Sequence, residues 1–466
     1  MDRLPWSRWH LRVIIALGTS WLLDGLEVTL VGSLSGVLET RNGLSLSDPQ
    51  VTAAATTYLA GAVVGALLFG HLTDRLGRKK LFLVTLATYS MATVCSAFSF
   101  NLLSFTVFRF FTGLGIGGEY AAINSAVDEF VPRKVRGTVD LIVNGTFWVG
   151  ASIGALASML LLGRHGPPLH IGWRLAFGVG GSLGLAVLVL RLALPESPRW
   201  LMLRGREQDA ERIVADIEQR VVAQHGPLSD VTSPKLRLIV RDHTPWREIF
   251  GNLVGENRKR SFLALALMIG QSFFFNAVFF TYGLVAKKFF HVRDEDLPLQ
   301  LLPFALGSFF GPLLLGHLFD RLGRKPMIIA TYAIAGLCLA GVSYPFAHGS
   351  LTLTTVTVCF TVIFFVASSA ASSAYLTVSE IFPLEIRAFA IATFYAIGTL
   401  VGGVGAPILF GELIASGSRA NVAWGYLLGA TLMLGAALCE WFLGVEAAGR
   451  SLESISTPLQ SRNHPT

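Results

Sequence analysis

The chain of 466 residues is 52% hydrophobic and only 14% charged, so it holds more apolar surface than a soluble core of that length could bury. This composition excludes a soluble protein and favours an all-α membrane protein whose solvent is the lipid bilayer. The net charge of +7 does not indicate a nucleic-acid partner, because the basic residues form short clusters between apolar runs, as membrane topology requires.

The first part of the chain is a short segment, residues 1–12, followed by six apolar runs. A spanning helix needs about 20 mostly apolar residues. The first run is too long for a signal peptide and contains Asp24 and Glu27, so we expect it to be retained as a spanning helix. The runs that make up this predicted N-terminal bundle, 13–194, are 13–38, 52–70, 81–100, 102–127, 139–162 and 172–194.

A charged segment, 195–260, follows the first six runs and holds 22 of the 67 charged residues. Within it, residues 207–220 have apolar side chains at helical spacing, which predicts an amphipathic cytoplasmic helix packed under the bundle. Six more runs form a predicted C-terminal bundle, 261–446, before a cytoplasmic tail, 447–466. These runs are 261–288, 299–317, 327–346, 352–381, 389–413 and 422–445.

The loops between the runs predict both the orientation of the chain and an internal repeat. With both termini in the cytoplasm, the short inner loops hold 11 Lys or Arg and the outer loops four, as the positive-inside rule requires. The sequence DRLGRK occurs at 74–79 and again at 320–325. A second repeated motif is Glu129, Pro132 and Arg136 in the first half and Glu380, Pro383 and Arg387 in the second. Such duplication predicts two six-helix halves that rock about a central cavity.

Six motifs in chain order resemble the major facilitator superfamily, in its sugar-porter and organic-ion-transporter branch. They are GHLTDRLGRKK, RFFTGLGIGGE, EFVPRKVRG, PESPRWL, GHLFDRLGRK and SEIFPLEIR. The resemblance covers nearly the whole chain. It implies the major facilitator fold, with twelve transmembrane helices in two six-helix, pseudo-symmetric halves, and a monomer that moves a solute across the membrane by alternating access.

Two features are similar to bacterial niacin and aromatic-acid carriers of that branch: the first-span motif LLDGLEVTLVG and the GGE that ends the fourth-span motif. The short first outer loop, 39–51, has no cysteine, which favours a bacterial source and hence an inner-membrane location. The resemblance therefore implies a small polar organic solute, either sugar-like or an aromatic or organic acid, carried with protons. No nucleotide-binding loop and no metal-spaced His or Cys cluster occurs, so the sequence predicts neither a cofactor nor a metal.

Charged residues inside the predicted spans are the candidates for proton coupling. Asp24 and Glu27 lie three residues apart on one face of the first span, where an ionisable group costs several kcal/mol unless it is paired or protonated. The resemblance aligns Glu27 with the acidic residue of sugar–proton symporters and Arg109 with its fourth-span partner. The alternatives are a static salt bridge for that pair and an interfacial position for Asp24. Glu119, which follows a glycine run, is a further candidate.

The candidate solute site also follows from the resemblance, at positions that sugar porters use to bind their substrate. These are Asn144, Gln271, Asn276 and Tyr375. Gln271 and Asn276 would not share a face of a straight helix, so the hypothesis requires local unwinding of the seventh span. The alternative is that these buried amides only tie helices together. Gly270 and two phenylalanines replace polar family positions, which favours an aromatic or amphipathic solute over a sugar.

The repeated loop motifs are expected to form an inner gate of half-exposed salt bridges, each of them weak but able together to bias two conformers. The alternative is that their basic residues only set topology. The predicted gate residues are Asp74, Arg78, Glu129, Arg136, Glu196, Arg199, Asp320, Arg324, Glu380 and Arg387.

Three other functions compete with proton symport. An uncoupled facilitator and an exporter of organic cations or drugs would have the same fold. A transporter-like nutrient sensor would signal through a long cytoplasmic tail, and only about 20 residues follow the last apolar run. An enzyme is not expected, because no nucleophile and base are evident at membrane depth.

Overall fold

The apolar runs of the first half form long helices in the computed structural model, which describes residues 1–40, 43–162, 166–228, 244–293 and 296–459. Helices are expected because a backbone crossing hydrocarbon must satisfy its own hydrogen bonds. The first six are α1 Arg8–Glu39, α2 Asp48–Leu76, α3 Arg78–Ser96, α4 Leu102–Phe130, α5 Arg136–Leu162 and α6 Leu169–Leu192.

The second half has the same pattern, and one of its spans is built from three consecutive segments. The helices are α10 Arg258–Phe290, α11 Leu297–Arg321, α12 Arg324–Ala347, α13 Leu353–Ile381, α14 Arg387–Gly398, a π-helical turn Thr399–Gly405, α15 Ala406–Ala415 and α16 Arg419–Leu443. Ten helices among the described residues are long and apolar enough to cross a membrane, with Arg387–Ala415 counted as one. Together with α3 and α4 they make up the twelve-helix fold that the sequence predicts, which is confirmed.

Shorter helices connect and follow the two halves. They are α7 Pro198–Leu203, α8 Glu207–His225, α9 Trp246–Phe250 with a π-helical turn Gly251–Glu256, and α17 Leu452–Ile455. The amphipathic helix predicted at 207–220 is α8, which buries Ala210, Ile217 and Val221.

Glycines allow the helices of the first half to pack at backbone contact. A Cβ at Gly113 would meet the carbonyl oxygen of Tyr58, and one at Gly117 would meet that of Ala62, so α4 lies directly against α2. The two halves meet where α11 packs along α5 and α14 packs along α2.

Both described chain ends lie on one side of the bundle, which we call the terminal face. Arg3 forms an ion pair with Glu218 of α8, and Glu453 of α17 forms one with Arg199 of α7. Trp246 of α9 stacks on His71 of α2 and meets the edge of Phe389 of α14. The connecting segment thus contacts both halves at this face.

Candidate functional site

A buried ion pair joins the first and fourth helices. Glu27 on α1 and Arg109 on α4 are each 2% exposed, and their carboxylate and guanidinium are in direct contact. Thr93 of α3 donates its hydroxyl to Glu27 Oε2 at 3.3 Å, and the guanidinium lies 4.5 Å from the centre of the Tyr58 ring. Two buried charges at this depth are tolerable only because each has the other and further polar or aromatic contacts.

Asp24, one turn before Glu27 on α1, lies in an aromatic cluster. Tyr120 of α4 donates its hydroxyl to Asp24 Oδ2, and the Tyr58 hydroxyl also faces this carboxylate. No group in the described part of the chain meets hydrogen-bond geometry with Oδ1. Trp21 stacks on Tyr120, with ring centres 4.3 Å apart, and its indole Nε1 likewise has no partner among the described residues. Helix α1 therefore carries one buried donor and one buried acceptor that lack partners among the described residues.

The other half of the protein completes this aromatic cluster. Tyr375 of α13 meets the edge of Trp21 with ring centres 5.6 Å apart, and Tyr395 of α14 meets the edge of Tyr120 at 4.9 Å. We define the aromatic cluster as Trp21, Tyr120, Tyr375 and Tyr395. Since α1 and α4 belong to one half and α13 and α14 to the other, the cluster spans the interface between the halves.

The four predicted solute-binding residues do not form one hydrogen-bonded group. Tyr375 belongs to the aromatic cluster. Asn144 donates to Asn124 Oδ1 at 3.1 Å, and Asn276 donates to the Ser272 carbonyl oxygen one turn earlier at 2.7 Å. Gln271, 8% exposed, makes no side-chain hydrogen bond to the described residues.

The unwinding that the pair Gln271 and Asn276 requires is absent from the described structure. Helix α10 continues without a break from Arg258 to Phe290. Five residues turn an α-helix by about 500°, so the two amides point in different directions. The expectation of local unwinding was wrong, because an unbroken apolar run satisfies its backbone best as a continuous helix.

Glu119 has a partner that the sequence analysis did not identify. Arg191 on α6 lies 2.6 Å from Glu119 Oε1 and also donates to the hydroxyl of Ser20 on α1. Both charged side chains are buried. Arg191 could have been found as a basic residue near the end of the sixth apolar run, where an acidic partner on another helix is expected.

The repeated loop motifs build two equivalent arginine centres at the terminal face. In the first, Arg78 lies 3.3 Å from Asp74 and 2.9 Å from Glu129. In the second, Arg324 lies 2.8 Å from Asp320 and 3.1 Å from Glu380.

Each arginine centre is also connected to the opposite half. Arg136 of the first half lies 3.7 Å from Glu380 of the second, and Arg387 of the second half lies 4.0 Å from Glu129 of the first. These contacts, with the two arginine centres, make up what we call the gate network.

The aspartates of the gate network cap helices of the opposite half. Asp74 accepts hydrogen bonds from the backbone N–H groups of Ala388 and Phe389, at 3.3 and 2.9 Å, where α14 begins. Asp320 accepts from the backbone of Gly137 and Thr138, at 3.1 and 2.7 Å, where α5 begins. A carboxylate at a helix N-terminus is stabilised by the unpaired N–H groups and the helix dipole. The terminal face is therefore closed by two reciprocal caps.

The expectation of half-exposed gate pairs was wrong for the two arginine centres, whereas the pair of Arg199 with Glu453 leaves 14% and 27% of the side chains exposed. Arg78, Glu129, Arg324 and Glu380 have side chains at most 2% exposed, and those of Asp74 and Asp320 are 8% exposed. The two halves cover these charges where they meet. Removing one partner from a buried pair costs about 3–5 kcal/mol, several times the value for an exposed pair.

The acidic residue of PESPR also has a repeat that the sequence analysis missed. Glu196, in the short connection before α7, accepts from the backbone of Arg78 at 2.9 Å. Glu446 accepts from the backbone of Arg324 at 2.8 Å, so it takes the equivalent place in the second half. The sequence signal for this repeat is the offset of about 250 residues between Glu196 and Glu446, which is close to the offset of the other repeated motifs. Burial raises the pKa of Glu196, although the nearby N–H groups and Arg78 oppose that shift.

Arg199 of α7 ties the chain ends to the gate network. It lies 3.3 Å from Asp2 and 2.8 Å from Glu453, and it donates to the carbonyl oxygen of Glu129 at 2.7 Å. Burial alone would raise the pKa of Glu453, but the Arg199 guanidinium lowers it to about 2. Glu453 is therefore ionised at any physiological pH.

Comparison with known proteins agrees with this architecture over nearly the full chain. A family model described as "Sugar (and other) transporter" matches residues 14–459. The niacin transporter NiaP of Acinetobacter baylyi is 27% identical over 461 residues, which cover 98% of each chain. The gallate transporter of Pseudomonas putida is 26% identical over 434 residues, covering 88% of this chain and 90% of its own.

A solved structure shares the same fold. The proton:xylose symporter XylE bound to 6-bromo-6-deoxy-D-glucose superposes with a TM-score of 0.77 at 20% sequence identity. The superposition covers 96% of this chain and 98% of the symporter chain.

Proposed function

This chain belongs to the sugar (and other) transporter family of the major facilitator superfamily, and we propose that it is a proton-coupled symporter of a small aromatic acid. The observation that carries the proposal is the buried pair of Glu27 and Arg109. Intramembrane charges are costly, so an ion pair at this depth indicates a functional role by default.

Proton binding at Glu27 would change the partner of Arg109. A neutral carboxyl no longer holds the guanidinium by charge, so Arg109 is free to move on its Tyr58 platform. Asp24 and Trp21 lie on the same helix as Glu27, one and two turns away. Protonation of Glu27 is thus coupled through α1 to the aromatic cluster.

The aromatic cluster is the proposed solute site. Aromatic side chains stack on a planar ligand, and the unfilled N–H of Trp21 and Oδ1 of Asp24 supply one donor and one acceptor. Niacin and gallate, which name two relatives of this chain, are both aromatic acids. A cluster shared by the halves also suits alternating access, since the solute would contact both halves at once.

The gate network would hold the transporter closed on its terminal face until solute and proton have bound. We place this face in the cytoplasm, because the short loops there carry most of the Lys and Arg. The bacterial relatives favour a bacterial inner membrane. Buried ion pairs that form in only one of two conformers can shift the equilibrium between them by a few kcal/mol.

Uptake into proteoliposomes tests the proposal with labelled niacin as the solute. Glu27→Gln fixes the carboxyl in a neutral form, so accumulation driven by a pH gradient should be lost while niacin exchange across the membrane continues. Arg109→Ala should resemble it, because Glu27 then lacks the charge that favours proton release.

Glu39→Gln serves as the matched control, since Glu39 is an exposed acid at the end of the same helix. It should accumulate niacin as the unmodified protein does. If Glu27→Gln also accumulates niacin as the unmodified protein does, coupling lies at Asp24 or Glu119. If the unmodified protein only equilibrates niacin across the membrane, it is an uncoupled facilitator.

A further inference from the structure

Two further carboxylates lie in the first half near the gate network. Asp128 on α4 and Asp140 on α5 are both fully buried. The repeat offset of 251 residues, which relates Glu129 to Glu380, places Ser379 and Ile391 at the corresponding positions of the second half. The duplicated gate therefore does not account for these two acids.

The acids belong to a column of polar side chains on two facing helices. The polar column consists of Tyr120, Asn124 and Asp128 on α4 and of Asn144, Asp140 and Arg136 on α5. On each helix the three residues are four positions apart, so their side chains lie on one helix face.

Hydrogen bonds connect the column from the aromatic cluster toward the gate network. Tyr120 donates its hydroxyl to Asp24, and its carbonyl oxygen accepts from Asn124 at 2.8 Å. Asn144 Nδ2 lies 3.1 Å from Asn124 Oδ1 and 3.2 Å from Asp140 Oδ2. The column thus extends from Asp24 at the proposed solute site to Asp140, one turn from Arg136.

The lower end of the column combines unfilled acceptors with unfilled donors. In the ranges that the structure describes, the Ser379 hydroxyl faces Asp128, but no group meets hydrogen-bond geometry with either oxygen of Asp128 or with Oδ1 of Asp140. The same holds for Nε of Arg136 and for Nε and Nη1 of Arg387. Buried polar groups are normally hydrogen-bonded, so these atoms indicate a second arrangement in which they pair.

The balance of buried charges also indicates that Asp128 and Asp140 are not both ionised in this structure. Four arginines and four acids already pair in the gate network, so the network is neutral without Asp128 and Asp140. Two further ionised carboxylates would leave an excess of buried negative charge, which is strongly unfavourable. The paired residues are Arg78, Arg136, Arg324 and Arg387 with Asp74, Glu129, Asp320 and Glu380.

Charged groups from several neighbouring elements face these acids. Asp128 faces Arg136, Asp140, Glu380 and Arg387, and Asp140 also faces Arg324. Asp320 reaches the first turn of α5 from α11, and Asp2 reaches Arg136 from the N-terminal segment. On α1, the buried His10 is hydrogen-bonded to Ser7 in its own turn.

We propose that Asp128 and Asp140 form a second proton-binding site, which holds a proton while the terminal face is closed and releases it as that face opens. Opening separates Arg136 from Glu380, because the two belong to different halves. Arg136 can then pair with Asp140 and Asp128 of its own half. The carboxyl O–H bond breaks, the electron pair stays on the carboxylate that Arg136 now faces, and the proton passes to water entering from the terminal face.

This inference rests on the proposed proton symport, but it can be tested without any solute. Spin labels at Lys80 and Pro326, exposed equivalents near the starts of α3 and α12, report the width of the terminal face by double electron–electron resonance. The four native cysteines are first replaced. All proteins carry Glu27→Gln, which removes the titration of Glu27 and makes the outcome independent of solute coupling.

In the Glu27→Gln background, the open fraction should rise with pH across roughly pH 5 to 9, by at most about tenfold per unit for one released proton. Adding Asp128→Asn and Asp140→Asn should keep the face closed at every pH. Asp140→Asn alone, nearly isosteric, should weaken the response and provides a second variant if the double change impairs folding, as judged by gel filtration.

The infrared band of a protonated carboxyl gives an independent readout on the same samples. The intensity of this band should decrease as pH rises in the Glu27→Gln protein. In the Asp140→Asn variant on the same background, the decrease should be smaller, because the contribution of Asp140 is missing. The proposal is overturned if the Glu27→Gln protein shows no pH response, or if replacing the acids leaves the response unchanged.

Discussion

Buried charged side chains in this protein differ in how completely they are paired. Arg109 contacts Glu27 and rests on Tyr58, and Arg191 contacts Glu119. Asp24, in contrast, keeps one oxygen without a partner in the described chain. Since an unpaired buried acceptor costs about 1–3 kcal/mol, such an atom is best explained by a partner that arrives during transport.

Tyr375 should bind the solute through its ring. Tyr375→Ala removes an aromatic contact worth about 0.5–1.5 kcal/mol beyond its buried area, so niacin affinity in detergent should fall by roughly tenfold. Tyr375→Phe keeps the ring and should bind within about twofold of the unmodified protein. Isothermal titration calorimetry distinguishes the two variants, and unchanged affinity in Tyr375→Ala would place the solute elsewhere.

At the residue scale, the sequence identifies charges more readily than their partners. Glu27 and Arg109 stand out because each is a charge within an apolar run, and family resemblance suggests that they meet. The pairing of Glu119 with Arg191 was missed, because the rotation of α4 against α6 decides it and hydropathy does not report that rotation. The roles of the pairs in transport stay predictions.

At the scale of helices, the first turns of α5 and α14 are the points where the halves hold each other. Asp320 caps the first and Asp74 caps the second. Because each cap crosses between the halves, opening the terminal face requires both carboxylates to leave their N–H donors. The strength of the caps therefore contributes directly to the free-energy difference between closed and open conformers.

Asp74→Asn should open the terminal face. The amide keeps one acceptor, and Arg78 keeps Glu129, but the charge that caps α14 of the opposite half is lost. Of the side-chain contacts of Asp74, only this cap crosses between the halves, so the closed conformer loses about 1–3 kcal/mol relative to the open one. The open population should rise by roughly tenfold, and Asp320→Asn should act similarly. Labels at Lys80 and Pro326 report the change as longer distances.

Asp209→Asn is the matched control, since Asp209 makes exposed contacts within α8 and the connection before it. Its distance distribution should equal that of the unmodified protein. An unaltered distribution in both Asp74→Asn and Asp320→Asn would mean that the caps do not hold the face closed.

Helix positions were largely predictable from the sequence, and details within helices were not. Long apolar runs require spanning helices, so the twelve spans follow from hydropathy. The continuity of α10 contradicts the expected unwinding near Gln271, which was inferred from a family position rather than from a local helix-breaking signal. The burial of the gate was also unforeseen, since it depends on how two halves meet.

The whole molecule combines a symmetric gate with an asymmetric interior. Arg78 and Arg324 have equivalent partners, as do the capping aspartates Asp74 and Asp320. The buried pairs of Glu27 with Arg109 and of Glu119 with Arg191 lie entirely within the first half. The aromatic cluster takes side chains from both halves. Under the proposed function, proton binding belongs to the first half, whereas solute binding and gating are shared by the two halves.

Proton movement during solute entry tests the central claim most directly. Proteoliposomes containing the unmodified protein and an internal pH-sensitive dye receive niacin outside, with no pH gradient imposed. Symport predicts that the interior acidifies as niacin enters, and that Glu27→Gln proteoliposomes exchange niacin without acidification. Niacin entry into liposomes with the unmodified protein at constant internal pH would contradict the account.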